Sequence, residues 1–148
     1  MDKPKFVYVS YIESTPEKVW NALRDPEMTR SYWFNHENVS DWSVGSTWQH
    51  VQKGEPEKVR VVGKVIESEP PRKLVVSWGR PTDEGNQAKH SRVTYEIEPL
   101  ENSVKLTIVH DEFGDDVEMF QSISTGWPLV ISGLKTLLET GKVLLIKK

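Results

Sequence analysis

Residues 104–141 read VKLTIVHDEFGDDVEMFQSISTGWPLVISGLKTLLETG, and the apolar period changes within them. In the first part Val104, Leu106, Ile108 and His110 share one side, and Lys105, Thr107 and Val109 the other. That is the two-residue repeat of a half-buried antiparallel strand. After Gly114 the apolar residues fall at Phe120, Ile123, Trp127, Val130, Leu134 and Leu137, spacings of 3, 4, 3, 4 and 3 that lay a wide stripe along a long helix. Gly141 supplies its C-cap. Pro128, following Gly126 and Trp127, disfavours helix at the residue before it and predicts a kink or a split there.

Working back toward the amino terminus, Arg92–Glu98 alternates with Val93, Tyr95 and Ile97 on one face, and Leu74–Trp78 reads as a further strand. The prolines of Glu69-Pro70-Pro71-Arg72 force a turn before it. Residues 47–51 and 58–68 form a hairpin around Gly54-Glu55-Pro56, whereas 35–45 is polar and turn-rich. Lys5–Ile12 is strand-like. Thr15 with Pro16, or Ser14 with Glu17, starts a helix whose apolar face is Val19, Trp20 and Leu23; Asp25-Pro26 repeats the signal for a second short helix to about Trp33. The order is α+β: a bent antiparallel sheet of about six strands wrapped around a long C-terminal helix, with two short helices after strand one. The meander has one apolar face, and only the last helix is long enough to cover it.

The 148 residues fit a single domain, 1–148. Lys plus Arg count 19 and Asp plus Glu 22, a net charge of −3 that is the wrong sign for a nucleic-acid binder. Without cysteine there is no disulfide framework, thiolate metal site or cysteine nucleophile. The amino terminus shows no secretory pattern, and the longest aliphatic run, Val143–Ile146, is far short of a membrane span, so a soluble cytoplasmic protein is expected. The tail Lys142–Lys148 either packs back or covers a partner. Nucleophile-elbow, phosphate-loop and metal-ligand motifs are absent, and His36, His50, His90 and His110 lack ligand spacing, so no catalytic residue, metal or cofactor is assigned. Six tryptophans exceed what an ordinary core of this size requires.

Thr-Pro-Glu-Lys-Val-Trp-Asn-Ala-Leu-Arg-Asp-Pro-Glu (15–27), Val-Gly-Ser-Thr-Trp (44–48), Gly-Lys-Val-Ile-Glu (63–67) before Pro-Pro-Arg-Lys-Leu (70–74), and Gly-Trp-Pro-Leu-Val-Ile-Ser-Gly-Leu-Lys-Thr-Leu-Leu-Glu (126–139) come in sequence along the chain. Together they resemble the START-like superfamily, and within it the group named for the activator of the heat-shock-protein-90 ATPase. The resemblance implies a helix-grip fold, in which a bent sheet grips the last helix around an apolar cavity. Proteins of this fold include lipid and steroid carriers, hormone receptors, polyketide cyclases and cochaperones, so it implies a class of functions rather than one.

Trp78, Tyr95, Phe120, Ile123, Trp127 and Val130 are the expected lining, with Tyr95 and His110 as polar contacts for a small hydrophobic or amphipathic ligand. The competing expectation is that these aromatics simply pack together, and that His110 is a strand-end histidine bonded to backbone; His50, on a face with Trp48, has the same two readings. A protein-interaction module with a chaperone-like partner is the second function, and a cyclase or hydrolase with His110 as base the third. A monomer or weak dimer is expected.

Overall fold

The structure, a computed structural model, describes residues 3–145. The elements in chain order are β1 (Phe6–Ile12), α1 (Pro16–Arg24), α2 (Pro26–Tyr32), β2 (His36–Val39), β3 (Thr47–Gln52), β4 (Glu55–Glu69), β5 (Lys73–Trp78), β6 (Ser91–Pro99), β7 (Val104–Asp111) and α3 (Val117–Thr140). The strands form one antiparallel sheet in the order β1-β7-β6-β5-β4-β3-β2. This is the helix-grip architecture, with seven strands where about six were expected. The added one, β2, lies in the polar stretch 35–45 and pairs with β3.

Local chemistry sets the helix boundaries. The Thr15 hydroxyl accepts from the Lys18 N–H at 3.2 Å and Asp25 Oδ1 from the Glu27 N–H at 3.0 Å, each cap followed by proline. The Ser14 hydroxyl is buried without a partner, so the alternative capping box does not form. Gly141 ends α3 in the left-handed region at φ 77°. The expected split at Pro128 is not seen, since α3 runs unbroken from Val117 to Thr140. Proline removes one backbone bond of a long ladder, and Trp127, Val130 and Ile131, buried on both sides of it, hold the helix against the sheet.

Two bulges bend β4. Val59 pairs with Val51 and Val61 with His50, leaving Arg60 as the extra residue; Ile66 is the extra residue between Val65 and Glu67 opposite β5. Bulges raise local twist, so this long strand can pair with β3 at one end and β5 at the other while the sheet curls. At the bend Trp48 Nε1–H donates to the Ser77 carbonyl at 2.8 Å directly over Gly63, where a Cβ would stand 1.9 Å from that oxygen.

The inner face is mostly apolar: Val93, Tyr95, Ile97, Val104, Leu106 and Ile108 are buried with Ile123, Trp127, Val130 and Leu134 of α3. The helix also packs along β1, where Lys135 Nζ donates to the Tyr11 carbonyl and Glu139 Oε2 accepts from the Glu13 N–H at 2.8 Å. The polar segment Pro81–Lys89 forms two short 3-10 turns. It is pinned by His90, which takes a hydrogen bond from the Ser77 hydroxyl on Nδ1 (3.1 Å) and gives one from Nε2–H to the Asp83 carbonyl (2.9 Å). Val143, Leu144 and Leu145 of the tail are exposed, and its residues 146–148 lie outside the described ones. Among the described residues no helix is long and apolar enough to cross a membrane.

Candidate binding cavity

Between α3, the segment that follows α2 and the β3–β4 hairpin lies a solvent-open cavity of about 520 Å³. That volume falls within the range of about 300–1,000 Å³ typical of small-molecule sites. Three tryptophans form an apolar wall: ring centroids are 5.4 Å apart for Trp33 and Trp127, 5.6 Å for Trp78 and Trp127, and 6.3 Å for Trp33 and Trp78. From α3, Met119, Ile123, Gly126, Trp127 and Val130 line the cavity on one helical face. The space exists at Gly126 because there is no side chain there: a Cβ at this position would meet nothing within 4 Å. The opening thus lies beside Gly126, at a missing side chain on an intact helix.

The remaining wall is polar. His36, His50, Arg60, Arg80, Glu118 and Ser122 contribute to it. Phe34 and Asn35 turn the chain from α2 into β2 with φ of 50° and 63°, a left-handed conformation that costs a non-glycine residue about 1 kcal/mol and here brings Phe34 and His36 into the lining. Asn38 Nδ2–H donates to the Leu23 carbonyl, so its Oδ1 is free to accept the His50 Nδ1–H at 2.6 Å. Arg80 is held by a bidentate pair with Asp116, and Asp116 also caps α3 through the Met119 N–H at 3.0 Å. That guanidinium, followed in effect by the bond to Met119, keeps the Asp116 carboxyl below its ordinary range.

Of the residues expected to line a cavity, Trp78, Ile123, Trp127 and Val130 do so. Tyr95, Phe120 and His110 do not. Tyr95 is buried behind Trp127, edge-on at 6.0 Å, and its burial pushes the phenol well above its ordinary pKa. Phe120 lies one residue around the helix from the lining face and packs edge-on against Phe113 at 5.2 Å; Met119 takes its place. Sequence reasoning missed Arg60, Arg80 and Met119 altogether. His50 was weighed but not chosen, and Trp33 was placed at the end of the second short helix.

His110 is fully buried and serves the wall from behind. Trp127 Nε1–H can only donate, and it does so to His110 Nδ1 at 3.0 Å. The proton of the neutral ring is therefore on Nε2 and faces the Ser91 hydroxyl at 2.8 Å, which in turn donates to the Trp78 carbonyl at 3.0 Å. This chain locks Trp127 and the end of β5 together, and leaves no nitrogen for a ligand or for proton transfer.

Desolvation lowers the His110 pKa from 6.5 to about 3. The unfolded chain takes up a proton here as pH falls through 6.5, whereas the folded chain does so only near 3. The stability this group confers is therefore complete above the upper value and lost toward the lower one, by about 1.4 kcal/mol per pH unit. Urea unfolding at about pH 8 and about pH 5.5 should differ by roughly that amount from this site, and His110→Gln should remove that share of the pH dependence. An unchanged slope in the variant would show that His110 titrates normally in the fold.

Among the described residues no three His, Asp or Glu side chains are grouped to hold a metal ion. The family model described as "Activator of Hsp90 ATPase homolog 1-like protein" matches residues 13–139. Among solved structures, the Aha1 dimer from Colwellia psychrerythraea is similar with 21% identity, a TM-score of 0.77, and coverage of 94% of this chain and 98% of that one. A protein from Cytophaga hutchinsonii aligns with 26% identity and a TM-score of 0.72, over 95% of this chain and 98% of its own. An Hsp90 activator from Plasmodium falciparum aligns with 20% identity and a TM-score of 0.74, over 90% and 95% respectively. No curated protein matches the chain significantly.

Proposed function

From the premise that the chain belongs to the family of Activator of Hsp90 ATPase homolog 1-like proteins, we propose that it binds a small hydrophobic or amphipathic molecule between sheet and α3 without transforming it. The observation that carries this reading is the solvent-open cavity walled by Trp33, Trp78 and Trp127. Apolar concave surface of this size left wet is costly at about 25 cal/mol per Å², and a ligand that covers it recovers that energy. His110, fully buried behind the tryptophan wall, is committed on both nitrogens, which supports carriage or sensing over acid–base chemistry there.

The test is native mass spectrometry of the purified protein, followed by tryptophan-fluorescence titration with fatty acids, flavonoids and sterols. Gly126→Leu is the matched variant. Leucine there projects into open space, so binding should fall at least about tenfold while stability holds or rises, because glycine inside a helix costs roughly 0.5–1 kcal/mol. Saturable binding that survives Gly126→Leu would place the ligand elsewhere, and a panel without any response would overturn the reading.

A second reading has its own observation. Val7, Val9 and Tyr11 are 51%, 41% and 55% exposed on the outer face of β1, an apolar row suited to a protein partner or a second copy. Relatives described as an Hsp90 activator and as a dimer support it. A chaperone complex lost in Tyr11→Ala but retained in Gly126→Leu would favour this reading over ligand carriage.

A further inference from the structure

Arg60 and Val61 are consecutive in β4, yet both line the cavity. A regular strand points neighbouring side chains to opposite faces. The exception is local and physical: Arg60 is the extra residue of the bulge between the Val51–Val59 and His50–Val61 pairs, and bulges re-aim the side chain they insert.

The charge so delivered has no acidic partner. Among the described residues no carboxylate lies within ion-pair distance of Arg60; its Nη2 donates to Gln52 Oε1 at 3.1 Å. Gln52 in turn donates to Glu55 at 2.8 Å, and the other oxygen of Glu55 is paired with Lys58 at 3.0 Å. The second arginine of the wall, Arg80, is spent on Asp116. Arg60 therefore keeps most of its five N–H donors for something else, on the polar side of a cavity whose other wall is built of indole rings and aliphatic side chains.

Resting on the ligand reading above, we propose that the cavity is built for an amphiphile ending in a carboxylate, its apolar body against the tryptophans and its anion on Arg60. Guanidinium and carboxylate match in geometry and charge, and such charge-assisted bonds are about twice as strong as neutral ones.

The test uses matched probes that differ only in charge: 2-naphthoate against its methyl ester, and dodecanoate against methyl dodecanoate, titrated by tryptophan fluorescence. The wild-type protein should prefer each acid to its ester by about tenfold, and high salt should shrink that preference. Arg60→Gln should bring the acids down to the affinity of the esters and leave ester binding unchanged, and Arg60→Lys should restore part of the difference. Arg60 is exposed, so neither variant threatens the fold. Esters that bind as well as acids, or a preference that persists in Arg60→Gln, overturn the anion assignment and leave the cavity reading standing. Failure of every probe, acid and ester alike, overturns both.

Discussion

Gly63→Ala is expected to cost about 4 kcal/mol or more and to leave little folded protein at physiological temperature. A Cβ at this position would sit 1.9 Å from the Ser77 carbonyl oxygen, 2.4 Å from Trp48 Nε1 and 2.7 Å from the Ser77 carbonyl carbon. Two of these three atoms are backbone in the neighbouring strand, so no rotamer change relieves the overlap. β4 and β5 must separate, and separation breaks the Trp48 indole bond to Ser77 and strains the Lys64 N–H bond to the Ser77 hydroxyl. Gly85→Ala is the control, because a Cβ there meets nothing within 4 Å and its backbone is not left-handed. Circular dichroism and urea unfolding of the two variants decide the point. A Gly63→Ala protein within about 1 kcal/mol of wild type would mean that the strands do not approach as closely as described.

Trp127→Ala should rank next, at about 3–5 kcal/mol from lost packing alone. From its place in the stripe, the same substitution is expected to weaken binding and spare the fold; the structure changes that expectation. Trp127 is buried at 3% exposure and is the donor that satisfies His110 Nδ1. Removing it opens a hole and orphans a buried acceptor, which adds roughly 1–3 kcal/mol. Trp127→Phe separates the two effects, since it keeps most of the volume and deletes only the N–H; it should cost about 1–3 kcal/mol. Combined with His110→Leu, the loss should be smaller than the sum of the singles, because the second change removes the acceptor that the first left bare. Strict additivity in urea unfolding would show that the two rings do not interact.

The features written in the sequence were those with local causes. Thr15 and Asp25 followed by proline, Gly141 at a helix end, and the alternation of β6 and β7 each depend on a few adjacent residues, and each is found where it was read. The cavity was legible as a region, since Trp78, Ile123, Trp127 and Val130 follow from strand and helix period. What the sequence hid had long-range causes. β2, His-Glu-Asn-Val, has no alternation of its own and becomes a strand by pairing with β3 and by the Thr29 hydroxyl accepting from the Asn38 N–H. Arg60 reaches the cavity only because β3 and β4 are out of register there. Pro128 argued for a kink or a split by local propensity, and of these the split is absent, with residues buried on both sides of it.

The clasp between α3 and β1 bears on how this sheet behaves at high concentration. An open sheet offers its two outermost strands as templates for other chains, the usual first step toward fibrils and swapped dimers. Here one border strand, β2, is only four residues long, and the other has Lys135 and Glu139 seated on the backbone groups of Tyr11 and Glu13. A recruiting strand would have to dislodge a helix whose opposite side is anchored in the core. At that end of β1 the hydrogen-bonded ladder can be extended only after this clasp is displaced, which sets a barrier against runaway polymerisation there.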